Sequence, residues 1–326
     1  ELKNNKNLNI NSFIINEENN SIKIKNLSLN KSYQIRKIDQ ANFNYLDTEN
    51  KKNNFNIKKV EDQNYLIDGR SFNANSLISN LLDADDKKEN NLFENNLSMG
   101  LNFKEVYFDK IYFVKDLNGK INIINNKVNE VDILAFYNNS QNIKFTIRTN
   151  DQGEKITTLF SSKAKPLVDR YKFIKGFKDD RAGYLDFYSL KKGGVSSSKL
   201  VIDNFKVKEI PALAKLLALA SLQGIADLLT GEGIRFTDFE MNFTNQDKLM
   251  KIQELYAIGP AISILLEGYI EKNKLISLRG TLVPATTINR SIASIPLLGD
   301  LLIGKKVGDG VFGVSFKIKG PPKDLE

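Results

Sequence analysis

Hydrophobic and polar residues alternate with a period of two along much of this chain. Ile22 and Ile24 interleave with Lys23 and Lys25, while Phe312, Val314, Phe316 and Ile318 interleave with Gly313, Ser315, Lys317 and Lys319. Such a pattern predicts strands with one wet face and one apolar face. In the first 160 residues it predicts strands over 13–15, 22–29, 33–46, 55–60, 65–68, 101–103, 106–114, 121–124, 128–137, 143–147 and 156–160. Further strands are predicted over 184–190, 200–207 and 234–244. Ile262, Ile264 and Leu266 alternate beyond them, as do Ile276, Leu278 and Leu282. Turns are expected at Asp68-Gly69-Arg70, Asn118-Gly119 and Gly193-Gly194. In 234–244 the apolar phase slips once near Asp238, which predicts a β-bulge there. Short helices are expected over 74–82 and 166–173.

Two compact apolar segments, 210–229 and 295–304, interrupt the alternation. In the first, Leu213, Leu216, Leu217 and Ala220 form one stripe, and Leu219, Leu222, Ile225 and Ala226 cover much of the rest, with Leu228 and Leu229 following. Pro211 suits a first helical turn. Only the 11 residues 216–226 separate Lys215 from Asp227, whereas a bilayer span needs about 20. Gly224 is expected to divide the segment into two short helices. In the second segment Leu297, Leu298, Leu301 and Leu302 supply the apolar bulk.

Composition narrows the chemistry. The 326 residues contain no Cys and no His, which excludes disulfides, Ser-His-Asp and Cys-His catalysis and His-based zinc sites. The run from Gly299 to Lys305 matches the first seven positions of a phosphate-binding loop, but Lys306 stands where Ser or Thr is required, so the match is coincidental. Asp83, Asp85, Asp86 and Glu89 lack the glycine of a calcium loop and read as a solvated acidic loop, and Asp179-Asp180-Arg181 reads as a turn. No catalytic residue, metal site or cofactor is expected, and an enzyme is not predicted. The net charge of +8 is spread over strand positions such as Lys144, Lys206 and Lys208, so no nucleic-acid partner is predicted; attraction to an anionic membrane surface fits better. Of 39 asparagines, 34 precede residue 151, which points to more exposed surface in the first half.

The residues from Ile210 to Gly224, then Leu228-Leu229-Thr230-Gly231-Glu232-Gly233-Ile234, resemble the C-terminal region of AsmA-like proteins of the YhdP type. The likeness extends through Ala257-Ile258-Gly259-Pro260-Ala261, Leu278-Arg279-Gly280-Thr281-Leu282-Val283-Pro284-Ala285, Ile288-Asn289, 295–304 and Gly320-Pro321. Asp68-Gly69-Arg70-Ser71-Phe72 is similar to an upstream segment of that family. The resemblance implies a mainly β fold: a long, curled antiparallel sheet forming an apolar groove, with a few short amphipathic or apolar helices. The chain is expected to divide into a β-meander with a short helix forming the upstream part of the groove (1–95), further antiparallel strands (96–178) and the AsmA-like C-terminal region (179–326), the part that carries most of the resemblance. It also implies a periplasmic protein of a Gram-negative bacterium, attached to the inner membrane through a segment upstream of this chain. Its relatives carry phospholipid between inner and outer membranes without bond chemistry.

On that reading Phe239, Met241, Phe243, Ile262, Ile264, Leu266, Leu278, Leu282, Phe312, Val314 and Phe316 line the groove. Leu213, Leu216, Leu217, Leu222, Leu228, Leu229, Leu297, Leu298, Leu301 and Leu302 belong to helices that cap it or dock on a membrane. The expected partners are phospholipid or another acyl-chain ligand, a membrane surface and envelope proteins. The rival class is a structural or assembly module for outer-membrane protein biogenesis and envelope integrity, with a filled core and no lipid cargo.

Overall fold

The computed structural model describes residues 7–81, 93, 96–125, 127–178, 183–219, 222–284 and 313–322. The chain is mainly β, as its alternation predicts, and it forms two compact units, Glu1–Asn150 and Asp151–Glu326.

Unit 1 contains β1 (Leu8–Glu17), β2 (Asn20–Leu29), β3 (Ile35–Lys37), β4 (Gln40–Leu46), β5 (Lys52–Glu61) and β6 (Asn64–Asn73). It continues with α1 (Asn75–Leu81), β7 (Leu97–Tyr107), β8 (Phe113–Ile124), β9 (Lys127–Asn138) and β10 (Gln141–Thr149). The strands pair in the order β1-β2-β4-β5-β6-β7-β8-β9-β10, with β3 beside the end of β2. Every pairing is antiparallel except β6–β7, which is parallel. This departs from the purely antiparallel expectation: β7 starts beside the first residue of β6, with Asn64 paired to Ser98 and Asn73 to Tyr107. Parallel neighbours require a crossover connection.

One face of this sheet is apolar across its width. Ile22 lies opposite Phe43 and Phe43 opposite Phe55; Ile57 pairs with Ile67, Ile67 with Leu101, and Phe103 with Leu117. The rings of Phe43 and Phe55 stack at 4.6 Å, and those of Phe72 and Phe103 at 5.5 Å. The other face carries asparagines bonded across strands. Asn42 Nδ2 donates to Asn56 Oδ1 at 2.5 Å and Asn54 Nδ2 to Asn44 Oδ1 at 3.2 Å.

Two glycines expected to make turns lie instead inside strands, Gly69 in β6 and Gly119 in β8. A Cβ on Gly69 would sit 2.5 Å from the Cβ of Phe55, and one on Gly119 would sit 2.9 Å from Ile133 Cγ1. They are glycines of close approach, where neighbouring side chains occupy the space a Cβ would need. The expected strand over 106–114 likewise divides, since the turn between β7 and β8 falls within it, and the one over 33–46 divides into β3 and β4.

Unit 2 contains β11 (Lys155–Ser161), α2 (Lys165–Tyr171), β12 (Phe177–Lys178), β13 (Leu185–Lys192), β14 (Val195–Val207), α3 (Pro211–Leu219) and α4 (Gln223–Thr230). Five further strands follow: β15 (Ile234–Gln246), β16 (Leu249–Ile258), β17 (Ile262–Glu271), β18 (Leu275–Pro284) and β19 (Val314–Gly320). They pair antiparallel in the order β11-β13-β14-β15-β16-β17-β18-β19, and the short β12 takes over from β13 along the last residues of β14. Gly193 and Gly194 make the expected β13–β14 turn, with φ of 54° and 84°. The apolar segment 210–229 forms two helices as expected, although the division precedes Gln223 and Gly224 lies inside α4.

The expected bulge at Asp238 is absent from the β14–β15 ladder, whose register runs unshifted from Val207↔Ile234 to Val195↔Gln246. The apolar phase slips equally on both strands, from Ile202 to Phe205 on β14 and from Phe239 to Phe236 on β15, so the two slips cancel. Asp203 and Asp238 face each other at the slip, and Asn204 takes a left-handed φ of 45°. The bulge of this region lies in β16 instead, where both neighbouring ladders shift register between Ile252 and Leu255.

Candidate apolar ligand face

Strand pairing in unit 2 places side chains in rows across the sheet, because directly paired residues share a face. One row runs Leu185, Ile202, Phe239, Ala257, Ile264, Leu282 and Val314. The next runs Phe187, Leu200, Met241, Leu255, Leu266, Gly280 and Phe316. A third begins at Ser189 and Ser198 and continues through Phe243, Ile252, Gly268, Leu278 and Ile318. Only its first two members are polar, and they satisfy each other: Ser198 Oγ donates to Ser189 Oγ at 2.9 Å. Ile262 lies on the same face, opposite Pro284.

The sequence-predicted residues Phe239, Met241, Phe243, Ile262, Ile264, Leu266, Leu278, Leu282, Val314 and Phe316 thus all share one face. Phe312, Leu297, Leu298, Leu301 and Leu302 lie outside the described residues. Burial divides the set: Ile262 and Leu282 are sealed at 0% exposure, whereas Met241, Ile264, Leu266, Leu278, Val314 and Phe316 are half-buried. Phe316 sits over Gly280, where a Cβ would come within 2.6 Å of the ring. The bulge keeps the rows in step, since without it the Met250–Ile252 end of β16 would turn its apolar residues to the wet face.

Sequence reasoning missed Leu200, Ile202, Ile252, Leu255, Ile270, Ile276 and Ile318 on this face. Their signal was present in the pairs Leu200/Ile202 and Ile252/Leu255, but the bulge obscures the period within β16 and hid that strand.

At one end the face closes into a packed corner. Phe177, Phe205 and Phe236 stack in series at 5.2 and 5.6 Å, and Phe205 meets Phe239 edge-on at 6.1 Å. The α3 and α4 helices belong to this end, where Glu209 N–H donates to Leu229 O at 3.2 Å. Leu213, Leu217 and Leu229 are buried, Leu216 and Leu222 half-buried, and Leu228 falls within α4.

The reverse face is polar and charged over β14–β16, whereas on β17 and β18 it buries Leu265 and Val283. Glu240 accepts from Lys199 Nζ at 2.8 Å, Tyr256 Oη at 2.8 Å and Asn242 Nδ2 at 3.0 Å. Burial works against its carboxylate, yet these bonds outweigh it and hold the pKa below the ordinary value. Burial, followed by the hydrogen bond to Glu240, pushes the Tyr256 hydroxyl well up. Burial first, and Asp238 opposite second, raise the pKa of Asp203 from its ordinary value.

Unit 1 has a cavity of about 80 Å³ on its own apolar face, lined by residues including Ile57, Tyr65, Ile67, Leu97 and Met99. Among the described residues no helix is long and apolar enough to cross a membrane, and no group of three carboxylates gathers to hold a metal ion. Comparison with protein-family models, curated proteins and solved structures finds no match to this chain.

Proposed function

We propose that this chain is the periplasmic part of an AsmA-like protein, and that it carries phospholipid along the apolar face of unit 2 between inner and outer membranes. The observation that carries the reading is the set of half-buried apolar rows through Met241, Leu266 and Phe316. Phe239 and Phe243 in the flanking rows, and Leu200 in the Met241 row, are buried, but Met241, Leu255, Leu266 and Phe316 keep part of their surface exposed. An acyl chain laid along them leaves water at about 0.8 kcal/mol per CH₂. Because successive rows offer chemically similar surfaces, the chain moves along them without a deep trap. The packed Phe205 corner and the α3–α4 helices close one end, and no bond is made or broken.

The test uses the whole chain, purified in mild detergent. Native mass spectrometry and lipid extraction should find phospholipid bound, and a photo-crosslinking lipid probe should label Met241 and Phe316. No co-purifying phospholipid together with no labelling at either position sinks the reading in favour of a structural or assembly module.

A further inference from the structure

A second surface of unit 2 combines exposed aromatic rings with lysines. The α2 helix stops at Lys172, which adopts a left-handed φ of 53° while its N–H donates to Val168 O at 2.7 Å. The chain then turns back at Gly176, φ 67°, whose carbonyl accepts from Lys208 N–H at 2.8 Å. A Cβ on Gly176 would lie 1.9 Å from Lys208 O, so only glycine lets the turn seat this closely against β14. Pinned at both ends, the turn holds Tyr171 at 46% exposure and Phe173 at 42%. At the same end of the sheet Phe160 and Tyr184 stack at 6.1 Å and are also exposed.

Lys172, Lys175 and Lys178 are exposed around these rings, and the Arg170 guanidinium lies 5.5 Å from the centre of the Tyr171 ring. Among the described residues the acidic neighbours are Asp169, paired with Lys165 at 2.8 Å, and Asp186, across from Phe160. Asp179-Asp180-Arg181 follow Lys178 in the sequence, and the run from Lys165 to Arg181, with six basic and three acidic residues, stays net positive at +3. Exposed aromatic rings on a pinned turn cost solvation unless something apolar receives them. Rings that sit at the headgroup level, with lysines reaching the phosphates, match the interface of an anionic bilayer. A protein groove would favour one buried anchor over rings spread among cations.

We propose that the Tyr171–Gly176 turn, with Phe160 and Tyr184, docks this end of unit 2 on an anionic membrane surface. Leu213, Leu217 and Leu229 of α3 and α4 are buried, and this contact does not draw on them. It also stands apart from the lipid-carrying face and is read by different residues.

The chain contains no Trp, so Phe173→Trp in the whole chain is a single fluorescent reporter. With vesicles of phosphatidylcholine containing roughly 30% phosphatidylglycerol, its emission should shift to the blue and be quenched by brominated acyl chains. Pure phosphatidylcholine vesicles should bind far more weakly, and salt should weaken both. Adding K172Q and K175Q should lower affinity about thirtyfold, from about 1 kcal/mol per basic contact. Circular dichroism and urea unfolding check that each variant keeps the fold. A reporter that stays in water with both vesicles, equal binding to neutral and anionic vesicles, or full binding by the lysine variant overturns the proposal. Loss of crosslinking at Met241 and Phe316 with vesicle binding intact sinks lipid carriage alone.

Discussion

Two regions of unit 2 are built from the same residue types and treat them oppositely. In the corner where β12, β14 and β15 meet the helices, Phe177, Phe205 and Phe236 are buried and in ring contact. Two rows along, Met241, Leu266 and Phe316 lie on a face of equal apolarity and keep part of their surface exposed. Hydrophobicity alone does not separate them. What differs is whether helices and neighbouring rings arrive to complete the packing. The corner is sealed as a core, and the open rows keep part of their apolar surface exposed.

The sharpest way to break this contrast is a matched pair of truncations, Phe205→Ala and Phe316→Ala. Phe205→Ala should cost about 3–5 kcal/mol in urea unfolding, because a cavity opens in the ring stack. Phe316→Ala removes a half-buried ring and should cost about 1 kcal/mol. Equal losses would show that the open rows are packed like the corner. Between these two in size lies Gly69→Ala in unit 1, expected to cost about 1–3 kcal/mol because its Cβ meets that of Phe55. A neutral result there would mean that the β5–β6 rows relax more easily than a core does.

The smallest effect belongs to the slip between corner and open rows. Asp203 has a raised pKa, so its ionised form is disfavoured in the fold. That penalty is absent below the ordinary carboxylate pKa, where folded and unfolded chains are both protonated. It grows as pH rises through the range between the ordinary and the raised value, and is complete above it. Asp203→Asn should therefore raise the melting temperature by about 1–2 °C at pH 7 and give no gain near pH 3. A gain that persists at pH 3 would exclude titration of Asp203 as its source.

Alternation made the chosen residues of the open face legible, since pairing keeps every described one of them on a single side. It did not make β16 legible, because one extra residue between Ile252 and Leu255 breaks the period that defines a strand. The slip at Asp238 was visible in one strand, but its cancelling partner at Asp203 is visible only once β14 and β15 are aligned. Gly69 and Gly119 were misread because a glycine freed for a turn and one crowded by a neighbour look identical in sequence. Burial was the least legible property. Nothing local to Phe205 or Phe316 says which one the helices reach.

The parallel β6–β7 seam carries a consequence for how unit 1 is assembled in time. Nearly all its other pairings join strands that follow each other along the chain, so they close short loops and form early. The seam must wait for residues 74–96 to bring β7 around, and it joins two meanders, β1 to β6 and β7 to β10, that are otherwise locally connected. In pulsed hydrogen exchange the amides bonded across β6–β7 should be the last of unit 1 to gain protection, and early protection there would contradict this order. On that order unit 1 would nucleate twice and close once.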